Sequence, residues 1–346
     1  MAADFVFCPA GSRWVQAQPA GSKWVQAQPA DQAQPADQAQ PADQAQPARL
    51  VCGRRMWYNV GIGKILKKGT VKQMIKQMYS RSAEFQRFET LKRNREKRTQ
   101  QKLMFLEGVH PIEQAIAHGW QFAAMGYASG KRLSGWAQDM LAKANPEVVY
   151  EMAPELHAEL SDRENPCELI ALLRQRTDGL ERMTKLSSES KDPLFVLFDR
   201  PQGPGNLGTL VRSADAFGAC GVLTTGHAAD FYDPQCLRAT IGTLFARPFA
   251  ALESMQDALN WANSLSVRLN IVGTSAHGTC LLEEVDLTVP TLLLIGNETF
   301  GLSKGWKEHC DVLAKIPIQG SASSLNAGCA ASICLYEINR QRRAKK

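Results

Sequence analysis

The groups best suited to chemistry lie in the last half of the chain. Arg212 stands six positions after Asn206, in a run whose apolar spacing reads as a helix leaving the buried strand 193–199. Glu298 follows the apolar run 291–296 and is flanked by Gly296 and Gly301, while Ser324 and Asn326 open the final helical pattern. These are a guanidinium, a carboxylate, a hydroxyl and two carboxamides, placed where strands end or helices begin. That edge of an open α/β sheet is where ligands bind. Each group also has a plainer role if taken singly. Arg212 then becomes a solvated helix cation, Glu298 a helix-start acid favoured by the macrodipole, and Asn206 and Ser324 N-caps.

One motif suggests other chemistry. Residues 203–208, GPGNLG, fit G-x-G-x-x-G between a strand and a helix, as a dinucleotide site would. The next strand, 221–225, ends in Thr without the acid that takes a ribose hydroxyl, and Asp230 lies well past it. Pro204 also removes an amide that could face a phosphate. A nicotinamide dehydrogenase is therefore a secondary reading. The nine cysteines form no Cys-x-x-Cys pair and lack metal-ligand spacing with His. Several sit in apolar runs, where free Cys behaves as a small hydrophobe, so a reducing, cytoplasmic setting without structural zinc is expected. No apolar run reaches the roughly 18 residues of a membrane span, and the N-terminus lacks a signal-peptide pattern.

Regular elements must hold these groups in place. Runs 193–199, 221–225, 270–275, 291–296 and 314–318 read as strands, with helices over 207–217, near 255–264 and from about 324. Such alternation implies a parallel sheet covered on both faces. The last helix is expected to bury Ala330, Ile333, Cys334 and Ile338. Upstream, 105–119 reads as a loop entering a helix, 146–152 as a strand and 175–192 as a linker.

Charge is unevenly spread. Residues 49–107 carry 16 Lys and Arg against 4 Asp and Glu, a local +12, whereas the 346-residue chain carries +6. Concentrated positive charge attracts a polyanion through counterion release, and nucleic acid is the usual partner. The apolar series Val71, Met74, Ile75, Met78, Phe85, Phe88 and Leu91 predicts one helix over 71–102, with the basic run 92–98 facing water. Residues 1–48 repeat Gln-, Pro-, Ala- and Asp-rich units without a hydrophobic period, as expected of a disordered leader. The expected order is thus a leader over 1–48, a basic helical segment over 49–102, a small α/β domain over 103–180 and a larger domain over 193–346.

Three segments taken together, 206–218 (NLGTLVRSADAFG), 292–303 (LLLIGNETFGLS) and 316–337 (IPIQGSASSLNAGCAASICLYE), are similar in order and spacing to the SpoU/TrmH family of SPOUT RNA methyltransferases. The resemblance covers about 193–343. It implies an α/β, parallel-sheet SPOUT domain with a C-terminal trefoil knot, an exception to unknotted folding. It also implies a homodimer with the site near the subunit interface. The implied activity is methylation of a ribose 2′-OH of tRNA or rRNA with S-adenosyl-L-methionine and no metal. By the same resemblance Arg212 activates the hydroxyl, while Asn206, Glu298, Ser324 and Asn326 position Arg212 and the RNA. Cofactor contacts, largely from backbone, fall at Thr274, Gly296, Ile316 and Leu325, and at Gly296 the backbone is expected to touch the cofactor. A guanidinium is effectively always protonated, so a phosphate clamp that orients the hydroxyl describes Arg212 better than a base does.

The sequence departs from the family pattern at Ala327-Gly328 after Asn326 and in the longer first loop, 199–206. Segment 108–119 resembles the small ribosomal-protein-like RNA-binding domain that often precedes the catalytic one. Two other readings share this fold. A silent RNA-binding protein is disfavoured by Arg212, Glu298 and Asn326, and a base-nitrogen methyltransferase by the lack of an Asp placed as base in the third segment.

Overall fold

The computed structural model describes residues 74–345. The expected leader over 1–48 and the start of the basic segment lie outside the described residues. The first sheet contains β1 (Met74–Met78), β2 (Leu103–Glu107), β3 (Phe122–Ala128), β4 (Val148–Met152) and β5 (Leu169–Arg174), in the order β1-β4-β3-β5-β2. Its helices are α1 (Ala83–Arg93), α2 (Arg95–Gln101), α3 (Val109–Ala117), α4 (Gly135–Ala144) and α5 (Pro154–Leu160). Alternate side chains of β2 serve opposite faces, as a period of two requires. Leu103 and Phe105 pack with Phe85, Phe88 and Leu91 of α1, while Met104 and Leu106 pack with Ile112 of α3 and Leu141 of α4.

The single helix expected over 71–102 is not what forms. Residues 74–78 pair in parallel with β4, and the side chain of Ser82 caps a new helix by accepting from the Phe85 amide. Asn94 then leaves the helical region and caps α2 through the Lys97 amide. From Met74 on, the apolar series belongs to a strand of the first sheet and a helix packed on that sheet. The basic run does not wholly face water either: Lys92 and Arg98 are buried.

The second sheet contains β6 (Leu194–Asp199), β7 (Gly221–Thr225), β8 (Phe249–Leu252), β9 (Asn270–Thr274), β10 (Cys280–Leu281), β11 (Thr291–Ile295) and β12 (Val312–Lys315). Their order is β10-β12-β9-β11-β6-β7-β8, and every pairing is parallel, as the alternation predicted. Around it lie α6 (Gly179–Glu189), α7 (Pro204–Ala216), α8 (Pro234–Thr240), α9 (Met255–Ser264), α10 (Lys304–His309) and α11 (Ala327–Ala344). Leu207, Leu210, Cys236, Cys334 and Leu335 of α7, α8 and α11 cover one face; Met183, Trp261 and Trp306 of α6, α9 and α10 cover the other. The stretch read as a linker is therefore a helix whose Met183 fits against Gly221. β12 ends at Lys315, short of the expected 318, because Pro317 cannot donate to a ladder.

The last helix is rotated from its expected setting. Ala331, Cys334, Leu335 and Ile338 are buried, whereas Ile333 is 42% exposed. Burial pushes the Cys334 thiol up to about 12, in keeping with a cysteine used as a small apolar side chain.

A polar joint ties the two sheets' domains together. Arg98, on α2, donates from Nε to Asp230 at 2.8 Å and from Nη2 to Asp233 at 3.2 Å. Its Nη1 donates to the Leu91 and Lys92 carbonyls. Trp120 Nε1 donates to the Phe245 carbonyl, and the Tyr232 hydroxyl donates to the Arg176 carbonyl.

Candidate active site

Parallel register brings four strand ends to one edge. Phe198 pairs with Ile295, Leu294 with Gly273, and Thr274 with Ala314. Thr274, Gly296 and Ile316 therefore leave the sheet side by side, at the ends of β9, β11 and β12. The Thr274 hydroxyl donates to the Leu294 carbonyl at 2.8 Å, which fixes its strand end to β11. Leu325 is 37% exposed in the segment just before α11.

Glu298 joins the three sequence segments. Its Oε1 accepts from the Gly203 amide at 2.9 Å and from Asn206 Nδ2 at 3.1 Å; its Oε2 accepts from the Gln202 amide at 3.0 Å. Asn206 Oδ1 in turn accepts from Asn326 Nδ2 at 2.9 Å. Burial raises the Glu298 carboxyl, but the bonds from Gln202, Gly203 and Asn206 outweigh it and hold the group below its ordinary value. It is a carboxylate at neutral pH.

Asn206 does not cap α7. The cap position is Gly203, Pro204 occupies the first turn, and the Asn206 side chain is left for Glu298 and Asn326. The cap of α11 is Asn326 rather than Ser324: its Oδ1 accepts from the Gly328 and Cys329 amides. Ser324 is exposed, and among the described residues it has no hydrogen-bond partner. The dinucleotide reading fails here for a physical reason. The amides that would face a pyrophosphate are taken by a carboxylate, and Gly208 closes on the Cys236 carbonyl of α8, which an added Cβ would meet at 2.5 Å.

Arg212 lies apart from that network. It is exposed on α7 and its guanidinium, among the described residues, forms no hydrogen bond or ion pair. α11 packs beside α7 through Ser213 and Ser332, whose hydroxyl oxygens are 2.7 Å apart, and through an edge-on contact of Phe217 with Tyr336. α11, which packs beside the helix that carries Arg212, exposes Cys329, Ile333 and Tyr336 at helical intervals.

The absence of room for a side chain expected at Gly296 is found within the chain itself. A Cβ there would meet the Leu302 nitrogen at 2.4 Å and the Gly301 Cα at 2.8 Å, so the close approach comes from the chain's own returning loop. Two residues outside the sequence reading hold that loop. Asn297, 5% exposed, donates from Nδ2 to the Arg200 carbonyl and accepts at Oδ1 from the Thr299 and Phe300 amides. Asp199 accepts from the Ser303 amide at 2.9 Å. The only sequence signals were a polar residue ending a buried strand and an Asn beside a glycine. Residues 317–325 have no hydrogen-bond partner among the described residues, and all but the half-buried Ile318 are exposed. A cavity of about 110 Å³ opens elsewhere, beside Arg87, Tyr150 and Arg174, and no sequence-predicted site residue lines it.

Known proteins are similar to this chain in sequence and fold. The model of the SpoU rRNA Methylase family matches residues 193–336, and that of the SpoU L30e-like domain matches 82–171. A 23S rRNA (uridine(2479)-2′-O)-methyltransferase of Streptomyces viridochromogenes is 43% identical over 267 residues, covering 76% of this chain and 91% of that protein. The chain belongs to the SpoU methyltransferase family. The crystal structure of the SpoU methyltransferase AviRb from Streptomyces viridochromogenes, in complex with the cofactor AdoMet, is similar with a TM-score of 0.69 at 41% identity, covering 76% of this chain and 100% of that one. An AdoMet-bound rRNA methyltransferase from Sinorhizobium meliloti gives a TM-score of 0.68 at 28% identity, covering 77% and 98%. All three SpoU segments read from the sequence start within the matched catalytic region, and α1 through the first half of β5 fall within the L30e-like match.

Proposed function

We propose that this SpoU protein methylates a ribose 2′-hydroxyl of ribosomal RNA, using S-adenosyl-L-methionine, as a cytoplasmic homodimer. The observation that carries the reading is the bonded series Glu298–Asn206–Asn326, which joins one polar group from each segment at the carboxyl edge of a parallel sheet. The rRNA substrate is inferred from relatives named for 23S rRNA. No helix among the described residues is long and apolar enough to cross a membrane, and the described cysteines are free.

The residues present fit the cofactor. Unpaired backbone at 317–325, with Leu325 exposed and Thr274, Gly296 and Ile316 at adjoining strand ends, provides the amide and carbonyl edges that an adenine and an amino-acid group require. S-adenosyl-L-methionine supplies an electrophilic methyl group whose sulfonium leaves as a neutral thioether. Arg212 presents a planar, permanently charged donor fork with no internal partner, suited to a phosphate and its neighbouring ribose hydroxyl. It orients the 2′-oxygen and favours loss of the proton, which passes to the substrate phosphate or to water as the oxygen gains the methyl group. Glu298 and Asn326 fix Asn206, and with it the first turn of the helix that carries Arg212. We assign Ser324 to the RNA, since its hydroxyl is exposed and unpaired. The apolar stripe Cys329, Ile333 and Tyr336 suits a second copy of the chain, which would set Arg212 at the border between subunits. The C-terminal return of α11 onto α7 is in keeping with the trefoil knot that family membership implies.

The test is methyl transfer from labelled S-adenosyl-L-methionine to 23S rRNA, followed by alkaline hydrolysis. A 2′-O-methyl ribose leaves an alkali-resistant dinucleotide, whereas a base methyl group does not. Arg212→Ala should lower turnover by about a hundredfold or more, with cofactor affinity within a few-fold, and Arg212→Lys should restore little. Alkali-labile product, or near-normal turnover in either variant, would refute the assignment.

A further inference from the structure

Phe300 is 72% exposed, the most exposed of the large apolar residues among those described. It is not on a loose segment. Asn297 and Gly301 exchange both backbone hydrogen bonds, at 3.1 and 2.9 Å, and the Phe300 amide donates to Asn297 Oδ1 at 3.0 Å. Gly301 adopts φ +65°, a conformation that closes the turn and that an L side chain would resist. Asn297 itself is buried and anchored to the Arg200 carbonyl. A rigid turn therefore holds an aromatic ring in solvent two residues from Glu298, at the rim of the polar network.

We propose that Phe300 is a positioning residue that stacks on an unpaired base of the RNA, beside the ribose to be methylated. This rests on the RNA-methylating reading given above. The charges around it decide which part of a nucleotide the ring receives. The Glu298 carboxylate repels a phosphate, while its backbone and Asn206 partners are already satisfied, so the neutral base lies over Phe300. The phosphate goes instead to cations: Arg212, and Lys307, whose ammonium group has no partner among the described residues. A protein partner fits less well, because Thr299 beside Phe300 in the chain is polar and exposed, and the next helix exposes the charged Lys304 and Lys307. Every base offers a π face, so a phenyl ring, without polar atoms, fixes orientation and does not select sequence. Because the turn is already ordered, little conformational freedom is lost when the base docks.

The full chain and its Phe300→Ala, Phe300→Leu and Phe300→Trp variants separate the outcomes. The probes are a single-stranded octauridylate, a blunt RNA duplex and 23S rRNA. Phe300→Ala should raise KM for 23S rRNA by about tenfold or more, with a smaller change in kcat and unchanged affinity for S-adenosyl-L-methionine. Phe300→Trp should restore KM, and its added tryptophan emission, relative to wild type, should be quenched by octauridylate and not by the duplex. Phe300→Leu should not restore KM. Equal rescue by Leu and Trp, no quenching, or a Phe300→Ala protein that sediments as a monomer beside dimeric wild type would each overturn the proposal. A wild type that fails to methylate 23S rRNA, with the quenching intact, would overturn the activity reading and leave the stacking contact standing.

Discussion

Removing the Arg98 guanidinium tests the joint between the two domains. The side chain is 2% exposed and bonds two carboxylates and two carbonyls. Breaking a buried charge pair from one side costs about 3–5 kcal/mol. Asp230 and Asp233 keep 15% and 30% of their side-chain surface in water, so both can rehydrate in part, and the lower end, about 3 kcal/mol, is expected. At roughly 2–4 °C per kcal/mol for a chain of this size, Arg98→Ala should melt about 6–12 °C lower. Arg98→Lys keeps the charge without the fork and should lose about half as much. A buried pair is screened little, so the difference should persist in 0.5 M salt, an ionic strength chosen to shorten the Debye length to about 4 Å. Calorimetric melting of the three proteins at low and high salt is the assay. A drop of less than about 3 °C, or one that disappears in salt, would mean that apolar contacts alone join the domains.

Other substitutions probe the site. Glu298→Gln should lower kcat/KM for RNA about ten- to a hundredfold, through loss of charge-assisted hydrogen bonds to Gln202, Gly203 and Asn206. Because the folded Glu298 carboxyl lies below its ordinary 4.5, the stability it adds is present above that pH and is lost as pH falls through the folded value. The stability gap between wild type and Glu298→Gln should therefore shrink between pH 5 and 3, conditions set for a denaturant titration, and a gap independent of pH would contradict this. Gly296→Val should lower melting temperature and cofactor affinity together, since its side chain would strike Gly301 and Leu302; lost affinity at unchanged stability would return Gly296 to a direct cofactor contact. Tyr336→Glu should make the chain sediment as a monomer with little change in melting, since Tyr336 is 52% exposed in the single chain, and a persisting dimer would place the interface elsewhere.

Five of the second sheet's seven strands, β6, β7, β9, β11 and β12, were legible because they are short, mostly apolar runs, a pattern that burial on both faces of a parallel sheet favours, whereas β8 and the two-residue β10 were not read from the sequence. Errors arose where apolar periodicity was ambiguous. Met74, Ile75 and Met78 fit a helical stripe, yet Met78 alone of the three is buried and the segment pairs with β4. Nothing local marks that choice, because the partner strand lies about 70 residues away. Arg98 was misread as solvated for a similar reason: Asp230 and Asp233 come from another domain. Asn206 looked like a cap because a carboxamide before an apolar run usually is one, and only the distant Glu298 and Asn326 reveal its other use.

Those long-range pairings also explain why α7 begins with Gly203-Pro204 rather than a capping side chain. A Ser or Asp at the cap would place its Cβ 3.1 Å from Asn206 Nδ2 and 3.3 Å from Glu298 Oε1, crowding the contact between them. With glycine at the cap, nothing crowds the Glu298 carboxylate as it reaches the Gly203 and Gln202 amides from a loop 95 residues further on. The helix end is stabilised by that carboxylate, so folding of α7 and ordering of the 297–301 loop are coupled. The loop in turn depends on Asn297 and on Asp199, which ends β6 one strand away from the turn's own β11. A change at any of these residues therefore disturbs the polar network and the Phe300 turn at once, even where it touches neither substrate nor cofactor. Arg212 is the exception, being attached to the network only through the rigid body of its helix, and its substitution alone should remove chemistry while leaving the rest in place.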